Sequence, residues 1–134
     1  MANLASEPHL AVKVIMMPRD TNPHGAIFGG VLLSYMDQAG SIGADFVLRQ
    51  QGWPIRPLVT VAMKTVEFHQ PVFVGDVVSF WTTLDRVGVT SITMQVWAEA
   101  ERSGQIVKLT GAQVTYVAVT SDGTRRPTPI RPQA

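Results

Sequence analysis

The chain has 134 residues, 46% of them hydrophobic, with a net charge of +1 and no cysteine. That length holds one domain, read as 1–134, with a packed core; the balanced charge excludes a protein built mainly to hold nucleic acid, and the missing cysteines exclude disulfides, thiolate metal sites and cysteine nucleophiles. MANLASEPHL (1–10) lacks a basic stretch followed by an apolar run, and no apolar segment reaches ~18 residues, so a soluble, cytoplasmic protein with no signal peptide and no membrane insertion is expected.

In chain order, HLAVKVIMM (9–17) reads as a short apolar strand ended by Pro18. Asp20, Asn22 and Pro23 then mark a loop. A helix is predicted from about Gly30 to Gln51, stopped by Gly52 with Pro54 beyond it. Strands are predicted over 58–70, 76–87, 91–101 and 105–119, the last two joined by Ser103-Gly104, a two-residue hairpin signal. The Pro- and Arg-rich tail, about 121–134, is expected to be irregular.

Alternation within the strands says which face is covered. Over 91–101, Ile92, Met94, Val96, Ala98 and Ala100 share one face, and the long helix is its natural cover. One helix cannot cover five twisted strands on both sides. Trp97 on the otherwise polar face, and the two apolar faces of LVTVAM (58–63), ask for a second cover, and a partner subunit is the economical one.

At 100° per residue, Leu32, Leu33, Tyr35, Met36, Ala39, Gly40, Gly43, Phe46 and Val47 fill one arc of the helix, its core face. Gly40 and Gly43 lie in that arc. Each costs roughly 1 kcal/mol of helix relative to alanine, and close approach of helix to sheet is the compensating gain. Asp45 points away from the arc. Asp37 sits at its margin, as a working carboxylate in a cleft or as a rim carboxylate paired with an arginine. Gly25, Gly29 and Gly30 precede or open the helix, where free backbone N–H groups and a partial positive charge suit a carbonyl becoming an oxyanion, or a phosphate; a plain tight turn is the alternative. GAIFGG has neither nucleotide-loop spacing. His9, His24 and His69 show no paired metal-ligand spacing, and no serine has a nucleophile-elbow setting.

These residues carry a resemblance. The strand–long helix–four strands order is similar to a hotdog fold, an α+β arrangement with a five-stranded antiparallel sheet wrapped around one long helix. DTNPHGAIFGG with SYMD (20–30, 34–37) resembles the acyl-CoA thioesterases that include YciA-type hydrolases and the cytosolic long-chain acyl-CoA hydrolases. EFHQPVFVGD (67–76), VGVTS (87–91) and TYVAV (115–119) continue the likeness over about residues 10–128. It implies hydrolysis of acyl-CoA to a free acid and CoA with no metal or organic cofactor. The catalytic positions it implies are Asn22, Asp37 of a neighbouring protomer, and the Gly29/Gly30 amides around the thioester carbonyl. For the rest of the acyl-CoA it implies Phe28, Thr60, Phe68, Arg86, Gly88, Thr90, Ser91 and Arg126, and for assembly a dimer-based hexamer, a trimer of dimers. Asp37 could serve as general base on a water or as nucleophile, with Asn22 orienting water or carbonyl. Arg86, Lys108, Arg125 and Arg126 are the cations that could meet the CoA phosphates, which favour guanidinium forks; taken singly, a solvated surface charge is the alternative for each.

Two other readings stay open. One is a non-catalytic module that binds acyl-CoA; the presence of both Asn22 and Asp37 favours the enzyme. The other is an R-specific enoyl-CoA hydratase, marked by D-x-N-P-x-H. Here Asp20-Thr21-Asn22-Pro23-His24 brings the histidine one residue early, which leaves His24 as a rim residue.

Overall fold

A computed structural model describes residues 7–132; most of the N-terminal stretch read for a signal peptide, and the last two residues of the tail, lie outside it. β1 (His9–Ile15) leads through a 3-10 turn at Pro18–Asp20 and a loop into α1 (Gly29–Gln51). β2 (Leu58–Phe68), β3 (Val77–Val87), β4 (Ser91–Arg102) and β5 (Gln105–Ala118) follow. The five strands form one antiparallel sheet in the order β1-β3-β4-β5-β2. β1 and β2, joined through the helix, therefore lie on opposite edges, and β3-β4-β5 is a meander between them. This is the arrangement of one long helix on a five-stranded antiparallel sheet that the resemblance implies.

The turns obey their residues. Gly52 caps α1 in the left-handed region, φ 68°, where its N–H returns to the Arg49 and Leu48 carbonyls. Ser103 and Gly104 both have positive φ, as the β4–β5 hairpin twist requires.

The core lies between α1 and one sheet face. On β4, Ile92, Met94, Val96, Ala98 and Ala100 are all buried, the face predicted by alternation. Thr93 on the other face is buried too, where its hydroxyl pairs with that of Thr115 at 2.9 Å. From α1, Leu32, Met36, Ala39, Gly40, Gly43, Ala44, Val47 and Leu48 are buried, whereas Leu33, Tyr35 and Phe46 are only half-buried. The core stripe is thus rotated toward Ala44 and Leu48 from the arc expected. Gly40 and Gly43 do let helix and sheet approach closely: a Cβ at Gly40 would overlap the Tyr116 hydroxyl, and one at Gly43 would overlap Thr82. His9 stacks on Phe46, ring centroids 4.1 Å apart, and His69 falls just beyond β2.

Asp76 of the VGD turn is a structural clamp. Its carboxylate accepts bonds from Arg102 (2.6 Å) and from the Phe73 N–H (2.9 Å), while Arg102 also donates to the Pro71 carbonyl (2.8 Å). Burial alone would raise the Asp76 pKa; the Arg102 and Phe73 hydrogen bonds and the Arg102 charge outweigh it and hold the carboxyl below its usual range.

Among the described residues the tail holds no helix or strand, yet it is tied down. Val119 bridges Pro127, Thr128 N–H donates to the Ala118 carbonyl at 2.8 Å and Ile130 N–H to the Val89 carbonyl at 2.9 Å. Ile130 is fully buried in the core. No helix of the described residues is long and apolar enough to cross a membrane.

Candidate active site

The loop before α1 is built by Asn22. Its side-chain carbonyl accepts from the His24 N–H (2.9 Å) and the Ala26 N–H (3.1 Å), while its backbone N–H donates to the Ala26 carbonyl (2.7 Å). A bridge between Thr21 and Ile27 closes the loop. The Asn22 oxygen is therefore committed to the loop, and its NH2 group is the part with no partner in it. Such side chain-to-backbone bonds are why asparagine suits a turn of this kind. His24 is exposed and joins the site only through its backbone.

The helix start follows directly. Phe28 is the N-cap and no side-chain hydrogen bond caps it, so the first amides, at Gly29 and Gly30, have no partner within the helix. Phe28 is 49% exposed. The Phe68 ring leans on Gly29, where a Cβ would meet the ring edge at 3.2 Å. Ile27, Gly29, Leu32 and Phe68–Val72 line a cavity of about 330 Å³ at this helix end.

Asp37 occupies a second and separate cavity, of about 350 Å³, lined by Asp37, Gln38, Ser41, Ile42 and Thr60. Its Oδ1 accepts from the Thr60 hydroxyl at 2.7 Å. No arginine pairs with it among the described residues, so the rim ion pair is not formed. Its backbone carbonyl accepts from the Tyr116 hydroxyl at 2.6 Å. Burial, and then the Asp37 charge, push the Tyr116 phenol far above its usual range, so the hydroxyl stays a donor. Tyr116 thus fixes the helix at Asp37 while Thr60 orients the carboxylate. The sequence reading placed Thr60 near the substrate but did not foresee this bond, and Tyr116 was not singled out at all; its only signal was the glycine at 40 that makes room for it.

Gly88, Thr90 and Ser91 lie together in the β3–β4 turn. The Gly88 N–H donates to the Ser91 carbonyl (2.8 Å), and the Thr90 carbonyl accepts from the Ala118 N–H (2.9 Å). Arg86 stands exposed just before that turn. Arg126 is on the far arm of the tail, its side chain 74% exposed and 3.6 Å from Asp122. The predicted residues therefore fall into three groups, the helix start with its loop, Asp37 with Thr60, and the β3–β4 turn, with Arg126 apart from all three on the tail.

Comparison with known proteins bears on the family and the fold. Residues 24–107 match the thioesterase superfamily model. The chain is 39% identical over 127 residues to the acyl-CoA thioester hydrolase YciA of Salmonella typhimurium, covering 91% of each. Among solved structures it is similar to the hexameric thioesterase y2039 from Yersinia pestis (TM-score 0.81, 36% identity, 94% of this chain and 97% of that one). It is similar also to Cj0915, a hexameric hotdog fold thioesterase of Campylobacter jejuni (TM-score 0.75, 39% identity, 89% of each). On the family model matched, the identity over nine-tenths of the chain and the shared fold, the chain belongs to the thioesterase superfamily, as a hotdog-fold member of the YciA-type acyl-CoA thioester hydrolases.

Proposed function

We propose that this chain hydrolyses acyl-CoA, adding water across the thioester to give a free carboxylic acid and the CoA thiol, in a site completed by a second protomer. The observation that carries the shared site is a spacing. Gly29 and Asp37 are eight residues apart on one helix, about 12 Å of rise. A reacting carbonyl must have its oxygen about 3 Å from the oxyanion donors and its carbon about 3–3.5 Å from the attacking atom. One chain's pair is too far apart to flank a single carbonyl. A neighbour's Asp37 brought to this chain's Gly29 removes the difficulty.

In this reading the Gly29 and Gly30 amides receive the thioester oxygen, and the free Asn22 NH2 donates to the carbonyl or the water. Asp37 either takes a proton from the attacking water or attacks the carbonyl itself. Direct attack passes through a mixed anhydride with release of the CoA thiolate, and water then regenerates the carboxylate. Single turnover in 18O-water separates the two, since hydrolysis of the anhydride at the aspartyl carbon leaves label in the protein. Edge strand β2 carries Val61, 55% exposed, and α1 carries Ile42 beside Asp37, 44% exposed. These suit a partner along that edge, and three such dimers would form the hexamer.

Thiol release from a panel of acyl-CoAs tests the reaction, and crotonyl-CoA tests the hydratase alternative; we expect free thiol and no hydration. Mixed oligomers test the shared site. Asn22→Ala and Asp37→Ala oligomers are each expected to be nearly inactive. Once subunit exchange is shown by mass spectrometry, about half the dimers carry both variants, each with one intact site of two, so roughly a quarter of wild-type activity returns. Exchange without recovery rules out the shared site.

A further inference from the structure

We propose that Arg131, held on the C-terminal strap, and the β3–β4 turn form an anion subsite for the phosphate-bearing nucleotide end of the substrate. This rests on the acyl-CoA reading above, and concerns a residue that neither the sequence motifs nor the family likeness marks out.

The strap makes the position definite. Ile130 is fully buried and its N–H is bonded to the Val89 carbonyl, so Arg131 is one residue from a fixed anchor. Its guanidinium carbon sits 5.7 Å from the Trp53 ring centroid. Stacking of this kind holds a guanidinium while leaving its in-plane N–H fork free for phosphate oxygens. Arg131 also lines a groove of about 360 Å³ with Val87, Gly88, Val89 and Pro129. No acidic side chain lines that groove, and Arg131 makes no ion pair among the described residues, whereas Arg126, Arg49 and Arg102 each have an aspartate partner.

A second cation lies on the connector that carries Trp53. Arg56 has a buried Nε with no hydrogen-bond partner, and the next residue, Pro57, is bonded through its carbonyl to the Val119 N–H where the strap begins. Arg56 does not line the groove, but it adds positive charge to the end of the sheet where the strap begins.

The reach is right as well. Val59 pairs with Val117, and Val117 with Ser91. The turn therefore stands two strand spacings from the residue next to Thr60, about 10 Å, a span that an extended pantetheine arm covers. A thioester beside Asp37 and phosphates beside Arg131 can belong to one molecule.

The test is calorimetric titration of adenosine 3′,5′-bisphosphate into wild type and Arg131→Gln, beside steady-state hydrolysis of an acyl-CoA and of the matching acyl-pantetheine, which lacks the phosphates. We expect about tenfold weaker nucleotide binding in the variant and a similar rise in KM for acyl-CoA, with the acyl-pantetheine parameters and kcat unmoved. Equal nucleotide affinity in the two proteins, or no binding by wild type, overturns the subsite. A KM rise shared by acyl-pantetheine also overturns it, because that is the mark of a loosened strap. Nucleotide binding lost with Arg131 in a protein that releases no thiol from any acyl-CoA would uphold the subsite and sink the hydrolase reading instead, so the two failures are distinguishable.

Discussion

The two cavities along α1 are nearly the same size and differ in what lines them. The one at the helix start offers a ligand the Gly29 backbone, the Phe68 ring, the aliphatic Ile27, Leu32 and Val72, and the polar side chains of His69 and Gln70 at its edge; the missing Cβ at Gly29 keeps its amide bare. The one a little over two turns on offers a carboxylate, a hydroxyl and an exposed isoleucine, with Asp37 held from two sides by Thr60 and Tyr116. The first can stabilise negative charge as it develops on a carbonyl oxygen; the second can deliver a base or a nucleophile. The carboxylate belongs to the second cavity alone, the bare helix-start amide to the first, and the helix holds them about 12 Å apart. Half-sites of opposite chemistry on a rigid element are what a two-fold pairing can bring together twice, once at each end of the dimer.

Breaking the carboxylate half has the largest expected effect. Asp37→Asn keeps an oxygen to accept the Thr60 hydroxyl, so the fold and thermal midpoint stay within a degree or two of wild type. It removes the base or nucleophile, and kcat should fall about a hundredfold or more. Unchanged kinetics across several acyl-CoAs would remove Asp37 from the reaction.

Asn22 comes next and sharpens the other half. Its oxygen organises the loop, and only its NH2 is free for a ligand. Asn22→Asp preserves an acceptor for the His24 and Ala26 amides but cannot donate when ionised. Asn22→Ala loses both. If the NH2 acts on the substrate, both variants lose roughly a hundredfold in kcat, and only the alanine variant also loses stability, by about 1 kcal/mol. An aspartate variant with wild-type kcat would make Asn22 a loop-builder alone.

Much of this contrast could be read in the sequence, for reasons that differ by residue. Alternation exposed the buried face of β4 because that face is covered by one helix along its whole length. Gly40 and Gly43 announced close packing because a glycine mid-helix is costly unless something occupies the missing side chain's place. The helix stop at Gly52 and the hairpin at Ser103-Gly104 are local and were legible locally. The bond from Thr60 to Asp37 and the one from Tyr116 to the helix join residues 23 and 79 positions apart. They depend on the strand order, which no local pattern encodes. The strap was missed for the same reason: PTPIRP looks like coil, and only the Val89 carbonyl and the core cavity that takes Ile130 give it a place. Alanines are weak markers in a periodicity count, which is why Ala44 drew no weight and the helix stripe was drawn too far round.

Thr60→Val probes the orientation of the carboxylate rather than its presence. It keeps the β-branched shape that suits strand β2 and removes the 2.7 Å bond to Oδ1. We expect kcat to fall three- to tenfold with KM unchanged, because a carboxylate free to rotate spends less time in the productive pose. Thr60→Ser restores the hydroxyl and should recover most of the loss. A Thr60→Val enzyme with higher KM and intact kcat would place the hydroxyl on the substrate instead.

The smallest expected effect distinguishes the two glycines at the helix start. A Cβ at Gly29 meets the Phe68 ring edge at 3.2 Å, whereas one at Gly30 meets nothing within 4 Å. In a helix each Cα–Cβ bond tilts toward the N-terminus, so an alanine methyl at either position points back to where a ligand oxygen approaches. Phe68 is 52% exposed and free to swing by the few tenths of an ångström that Gly29→Ala demands. That substitution should be close to neutral for stability. Gly30→Ala should stabilise the chain slightly, by up to about 1 kcal/mol of helix propensity, a gain of a few degrees in Tm. If the amides at this end hold the thioester oxygen, both variants lose a few-fold in kcat/KM, and Gly30→Ala does so while melting higher than wild type. That opposition of stability and activity cannot come from a damaged fold. A Gly30→Ala enzyme that gains stability and keeps full kcat/KM would show that no ligand oxygen approaches this amide, and the oxyanion role would pass to Gly29 alone or to the Asn22 NH2.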